Sequence, residues 1–128
     1  MTQLHVVLRA HIERLGAGHP DTLAVRRELA VVYADQGQLV EQAKAEYRAL
    51  LAAETERLGV DHPDTLATRG QVAYYTAKGG DPAGALELYR ELLTDRQRVL
   101  GPDHPDTLAT RRGLHALEAL PKPPVDPR

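Results

Sequence analysis

The sequence predicts an all-α fold, an α-solenoid of antiparallel helix pairs with about six helices. Three observations predict it. First, the segment His19-Pro20-Asp21-Thr22-Leu23 recurs as His62 to Leu66 and as His104 to Leu108, at offsets of 43 and 42 residues. Repetition at that period is the mark of stacked supersecondary units. Second, the chain has no Phe, Trp or Cys, its five aromatics are all Tyr, and Ala and Leu supply most of the remaining apolar surface. Both are strong helix formers, whereas a β-sandwich needs more β-branched and aromatic residues. Third, Ala43, Tyr47, Leu50 and Leu51, and again Ala85, Tyr89, Leu92 and Leu93, fall at i, i+4, i+7 and i+8, one face of a helix.

The elements follow in order. A helix over 3–15 ends at Leu15-Gly16, and the pairs Leu58-Gly59 and Leu100-Gly101 end two later helices in the same way. Glycine there is expected to take the left-handed conformation of a helix C-terminal cap. Pro20, Pro63 and Pro105 each open the next helix, where a missing N–H costs nothing. Asp21, Asp64 and Asp106 follow, placing negative charge at the positive end of the helix dipole. This gives first helices over 20–36, 63–78 and 105–119. Gly37-Gln38 and Gly79-Gly80-Asp81-Pro82 turn the chain into second helices over 40–58 and 82–100. The register then reads as a half repeat (3–18), two full repeats (19–61 and 62–103) and a half repeat or cap (104–119), within a domain of 1–120. Leu4 aligns with Tyr47, so the first helix is a second helix without its partner; the last is a first helix without its second. Half repeats leave an apolar face to cap, or to pair with another copy. Residues 121–128 hold four prolines, a composition expected to be disordered or extended. Their P-x-x-P-x-x-P spacing could dock on an aromatic groove, though a solvated tail is the simpler reading.

Charge and composition exclude several functions. A net charge of −2 gives no basic excess for nucleic acid. Without cysteine there are no disulfides or thiolate metal sites, as in a reducing cytoplasm. No run approaches the roughly 20 apolar residues of a membrane span. Arginine-dominated basic charge with abundant Ala, Gly and Leu suggests a GC-rich bacterial source. A soluble cytoplasmic protein is expected.

The residues Leu29-Ala30-x-x-Tyr33, with Ala43 and Tyr47, and then Ala73, Ala85 and Tyr89, resemble the tetratricopeptide repeat pattern of large, small and aromatic positions. The ~42-residue period and the Leu-Gly-x-x-His-Pro-Asp junction are similar to the longer repeats of kinesin light chains and many bacterial signalling proteins. Repeat one departs by one extra residue between Gly37 and Tyr47, and Thr76 stands where the family usually has Tyr. The resemblance implies a non-catalytic scaffold whose first helices line a concave, protein-binding groove.

On that pattern the groove positions are Arg27, Val31 and Ala34 in repeat one, Gly70, Tyr74, Ala77 and Lys78 in repeat two, and Arg112 and Ala116 in the last helix. Arg27, Val31, Tyr74, Lys78 and Arg112 are the candidate ligand contacts. Arginine forks suit carboxylates, so an acidic or C-terminal segment is the expected ligand. Arg26, Arg69 and Arg111 recur at one repeat position and are secondary candidates; the family packs its helix pairs there, so pairing with glutamates is the alternative. The chain has no Asn to grip a peptide backbone.

Other chemistry fails. His19, His62 and His104 cannot share a zinc ion, because successive helices sit roughly 8–10 Å apart and ligands must reach about 2 Å. A histidine closing each turn is the better reading. His-Pro-Asp marks a single loop in J-domain co-chaperones, but here it is a repeat junction. His5, His11 and His115 lie on helices with no nucleophile beside them, Glu and Asp read as scattered along solvent faces, and no Gly-rich phosphate loop follows a strand. No enzyme, cofactor or metal site is expected. The competing functions are a homodimerising module that pairs through its half repeats, or a regulatory piece of a larger signalling protein.

Overall fold

The computed structural model describes residues 2–121; the expected Pro-rich tail lies, beyond Pro121, outside them. Six α-helices follow one another: α1 Thr2–Leu15, α2 Pro20–Asp35, α3 Val40–Leu58, α4 Pro63–Lys78, α5 Pro82–Leu100 and α6 Pro105–Glu118. The packing contacts run between consecutive helices, α1 on α2, α2 on α3 and so on to α6. That is a lateral pile, not helices gathered around one centre. Its core is a seam of repeat-equivalent positions: Leu23, Ala30, Tyr47, Leu50 and Val72 form the main cluster, with Leu66, Ala73 and Leu92 buried along the same line.

Each histidine does close its turn. His19, His62 and His104 are the N-caps of α2, α4 and α6, with backbone φ near −65° and ψ near 140°. Their Nδ1 atoms accept the backbone N–H of Asp21, Asp64 and Asp106 at 3.1, 3.1 and 3.0 Å. Each ring thus satisfies one of the donors a helix start leaves orphaned. The second punctuation is less regular. Asp81 caps α5 by accepting from the Gly84 N–H at 2.9 Å, whereas Leu39, on the longer turn of repeat one, caps α3 with no side-chain bond.

One expectation is corrected in detail. Gly59 and Gly101 have positive φ, 93° and 96°, but ψ of 164° and 157°. The left-handed helical cap has ψ near 45°, so these glycines leave their helices through an extended, mirror-image conformation instead. That swings the chain away from the helix axis, freeing it to run through a short turn into the next His-Pro start.

Candidate functional site

Val31 and Tyr74 occupy the same position of successive first helices, on α2 and α4, and are 43% and 45% exposed. Exposed apolar groups that line up on one face mark a candidate contact surface. Tyr74 stands edge-on to Tyr75, with ring centroids 4.9 Å apart, and Tyr75 stacks on Tyr47 at 5.7 Å. Lys78, one turn on, places its ammonium 5.7 Å from the Tyr74 ring centroid, within cation–π range. Arg112 of α6 is exposed. Among the described residues neither it nor Lys78 makes an ion pair.

Arg27 is different. Its Nη2 lies 2.5 Å from Glu54 Oε2 of α3 and 3.5 Å from Thr68 Oγ1 of α4. Glu54 is 2% exposed, so acidic residues do not all lie on solvent faces as the sequence suggested. Burial holds the Glu54 carboxyl above its ordinary value, against the opposing pull of the Thr68 hydrogen bond and the Arg27 charge. Arg27 is therefore largely committed to an internal partner, and the groove at repeat one is close to neutral.

The secondary arginines divide. Arg26 pairs with Glu46 at 3.1 Å and Arg69 with Asp95 at 2.7 Å, both arginines mostly buried between their helix pairs. Each is tied to the neighbouring helix by its ion pair, to a glutamate for Arg26 and to an aspartate for Arg69. Arg111 of α6 has no ion pair among the described residues. The Arg69–Asp95 contact extends through Arg98 to Asp61 at 2.8 Å, tying α5 to the turn before α4.

One residue was missed altogether. Arg96 of α5 is 9% exposed and is the repeat equivalent of Glu54. Its Nη1 donates to Thr110 Oγ1 at 2.7 Å and to the Asp106 carbonyl at 3.4 Å, and its Nη2 to the Leu66 carbonyl at 3.3 Å. The sequence did carry a signal. Positions 54 and 96 continue the apolar stripes Tyr47-Leu50-Leu51 and Tyr89-Leu92-Leu93 at the next helical step, so a charge there is an inward charge.

Residues 65–106 match the tetratricopeptide repeat family. No curated protein matches the chain. Among solved structures it is similar to the nearly identical TPR-like repeats of a putative kinesin light chain from Podosopora anserina, with a TM-score of 0.77 and 27% identity over 89% of this chain. A variant of that protein superimposes with a TM-score of 0.78, again at 27% identity over 89% of this chain. The chain spans about half the length of these structures, 54% and 53%. No described helix is long and apolar enough to cross a membrane. With one period of the chain matched to the tetratricopeptide repeat family and the same helix stack over nearly all of its length, the chain is an all-α solenoid similar to the TPR-like repeats of kinesin light chains.

Proposed function

We propose that this chain is a non-catalytic scaffold that holds a protein or peptide segment across the face formed by α2, α4 and α6. The observation that carries this reading is the aligned exposure of Val31 and Tyr74. A rigid stack of helices offers a preformed surface, which lowers the ordering cost of gripping a flexible segment. Lys78 and Arg112, with no acidic partner among the described residues, favour an acidic ligand at the α4–α6 end. Net charge of −2 argues against nucleic acid as that ligand, and a cytoplasmic setting fits the absence of cysteine.

The test is capture of partners from the source organism's lysate. Val31→Ser with Tyr74→Ala on the first-helix face should abolish capture, while Val60→Ser with Val99→Ser, also exposed apolar positions, should leave it intact. Equal capture by both double variants would sink the reading. A second reading, self-association through the half repeats, draws on Val7. This residue is 40% exposed, where its repeat equivalents Leu50 and Leu92 are fully buried. Docking α1 of one copy on α6 of another would complete a helix pair. A monomer by sedimentation equilibrium disposes of it.

A further inference from the structure

Positions 54 and 96 invert their charge. At the first repeat junction Glu54 is buried and has a counterion, Arg27 from the preceding first helix. At the second junction Arg96 is buried in its place, and the residue equivalent to Arg27 is Gly70. Among the described residues no carboxylate stands within ion-pair distance of Arg96. Asp106, whose charge acts on it from the start of α6, meets it only through a backbone carbonyl. A guanidinium has five N–H donors. Three of them reach the neutral oxygens of Thr110, Asp106 and Leu66, and Nε has no partner among the described residues. A nearly buried cation left without an anion is costly, and folded proteins pair such charges.

Gly70 is what leaves room for one. A Cβ built there would stand 3.9 Å from both terminal nitrogens of Arg96. The missing side chain leaves a groove of about 370 Å³ lined by Gly70, Gln71 and Tyr74 of α4, Asp106 and Thr110 of α6, and Tyr89 and Arg96 of α5. Tyr74, the exposed aromatic of the proposed ligand face, is at its rim.

We propose that this groove is a carboxylate subsite: Arg96 receives one carboxylate of the bound segment at the α4–α5–α6 junction, while at the smaller equivalent cavity one repeat earlier, about 220 Å³, Glu54 already occupies Arg27. The proposal rests on the scaffold reading and sharpens it. A single anionic anchor, set at one junction and refused at the other, fixes the register of an otherwise repetitive ligand face. Planar guanidinium donors match a carboxylate fork, and the carboxylate can come from an acidic side chain or from a chain's C-terminus.

The experiment uses the full chain and three alanine-based probe peptides: one blocked at both ends with a central glutamate, the same with glutamine, and one with a blocked N-terminus and a free C-terminus. Binding is followed by the arginine Nε–H resonances and by the backbone amides of Val31 and Tyr74. The side-chain glutamate or the free terminus should move the Arg96 Nε–H signal, and which of them does so identifies the source; the glutamine peptide should bind about tenfold more weakly or worse. Arg96→Met should abolish that difference. Gly70→Arg with Arg96→Glu, which rebuilds the Arg27–Glu54 arrangement and so keeps a folded, charge-paired junction, should abolish it too. Equal binding of the glutamate and glutamine peptides, with shifts at Val31 and Tyr74 but none at Arg96, overturns the subsite and leaves the scaffold standing. No shift anywhere overturns both.

Discussion

Arg27 and Glu54 join a half-open groove position to a buried second-helix position through an ion pair: Nη2 meets Oε2 at 2.5 Å, with the arginine side chain 39% exposed and the glutamate 2%. The pair joins α2 to α3, and Thr68 brings in α4. It holds the first junction together and makes that end of the ligand face nearly neutral.

Removing only the arginine should therefore destabilise the fold. Arg27→Met leaves Glu54 buried without a cation. Breaking a fully buried pair costs about 3–5 kcal/mol, and water around the half-open Arg27 reduces this to about 2 kcal/mol. Adding Glu54→Leu should recover most of the loss, since an apolar residue of similar size suits that site. Urea unfolding of the single and double variants measures both. A single variant as stable as the parent would mean that Glu54 gains nothing from Arg27.

The same glutamate gives the protein a pH signature. Burial, partly offset by Thr68 and Arg27, raises the Glu54 carboxyl above its ordinary 4.5. The folded state thus holds that proton more tightly than the unfolded chain, so stability falls as pH rises from 4.5 to the raised value. Asp95 acts in the opposite sense. Burial pushes it up, but hydrogen bonds from Arg69 and Arg98 outweigh this and hold it below 3.8. Its contribution is present above 3.8 and is lost as pH falls through the lowered value. The stability of the parent minus that of Glu54→Gln should therefore decline with pH just above 4.5, and the parent minus Asp95→Asn should rise with pH below 3.8. Chemical denaturation across pH 2–7 reads both differences; a rising Glu54 difference would contradict the assignment.

The helices were legible because every signal for them is local and appears more than once. Pro and Asp at the starts of α2, α4 and α6, Gly after α1, α3 and α5, and an i, i+4, i+7 stripe on α3 and α5 agree across the copies, and the six spans come out within a residue or so of expectation. Val31, Tyr74 and Lys78 were legible for the same reason, since the repeat register alone puts them on one face. The fates of the arginines were not. Arg26 and Arg27 are neighbours in sequence, yet one packs against Glu46 and the other reaches 27 residues along the chain to Glu54. Which carboxylate each meets depends on how α3 sits against α2, and no local pattern encodes that. Arg96 was overlooked because a charge on an apolar stripe looks like an interruption of the stripe until its surroundings are seen.

Repeat equivalence also separates packing from capping. Val7, Leu50 and Leu92 hold one position on α1, α3 and α5, with relative exposures of 40%, 0% and 0%. Leu50→Ala and Leu92→Ala should each cost about 2–5 kcal/mol, the transfer term plus a cavity. Val7→Ala should cost less than about 1 kcal/mol, because the side chain is already half in water and leaves no void. Thermal unfolding of the three variants checks the order. A Val7 penalty equal to that of Leu50 would mean that α1 is covered in solution, by a second copy or otherwise.

Gly59 is the last test, because two effects there have opposite signs and geometry decides between them. Nothing lies within 4 Å of a Cβ added at Gly59, so an alanine would meet no steric obstacle from its neighbours. Replacing glycine by alanine also removes freedom from the unfolded chain, which on its own stabilises by about 0.4–1 kcal/mol. Against this stands a backbone at φ 93° and ψ 164°, a region essentially reserved for glycine. Holding an L-residue there costs on the order of 1–3 kcal/mol, so strain outweighs the entropy gain and Gly59→Ala should lower the unfolding free energy. Gly18 supplies the control. It too has open space around its Cβ, but its φ lies outside the positive range. Gly18→Ala should be neutral or slightly stabilising. If both alanines behave alike under urea titration, the chain does not leave α3 through the conformation described, and the swing that starts each new repeat has another cause.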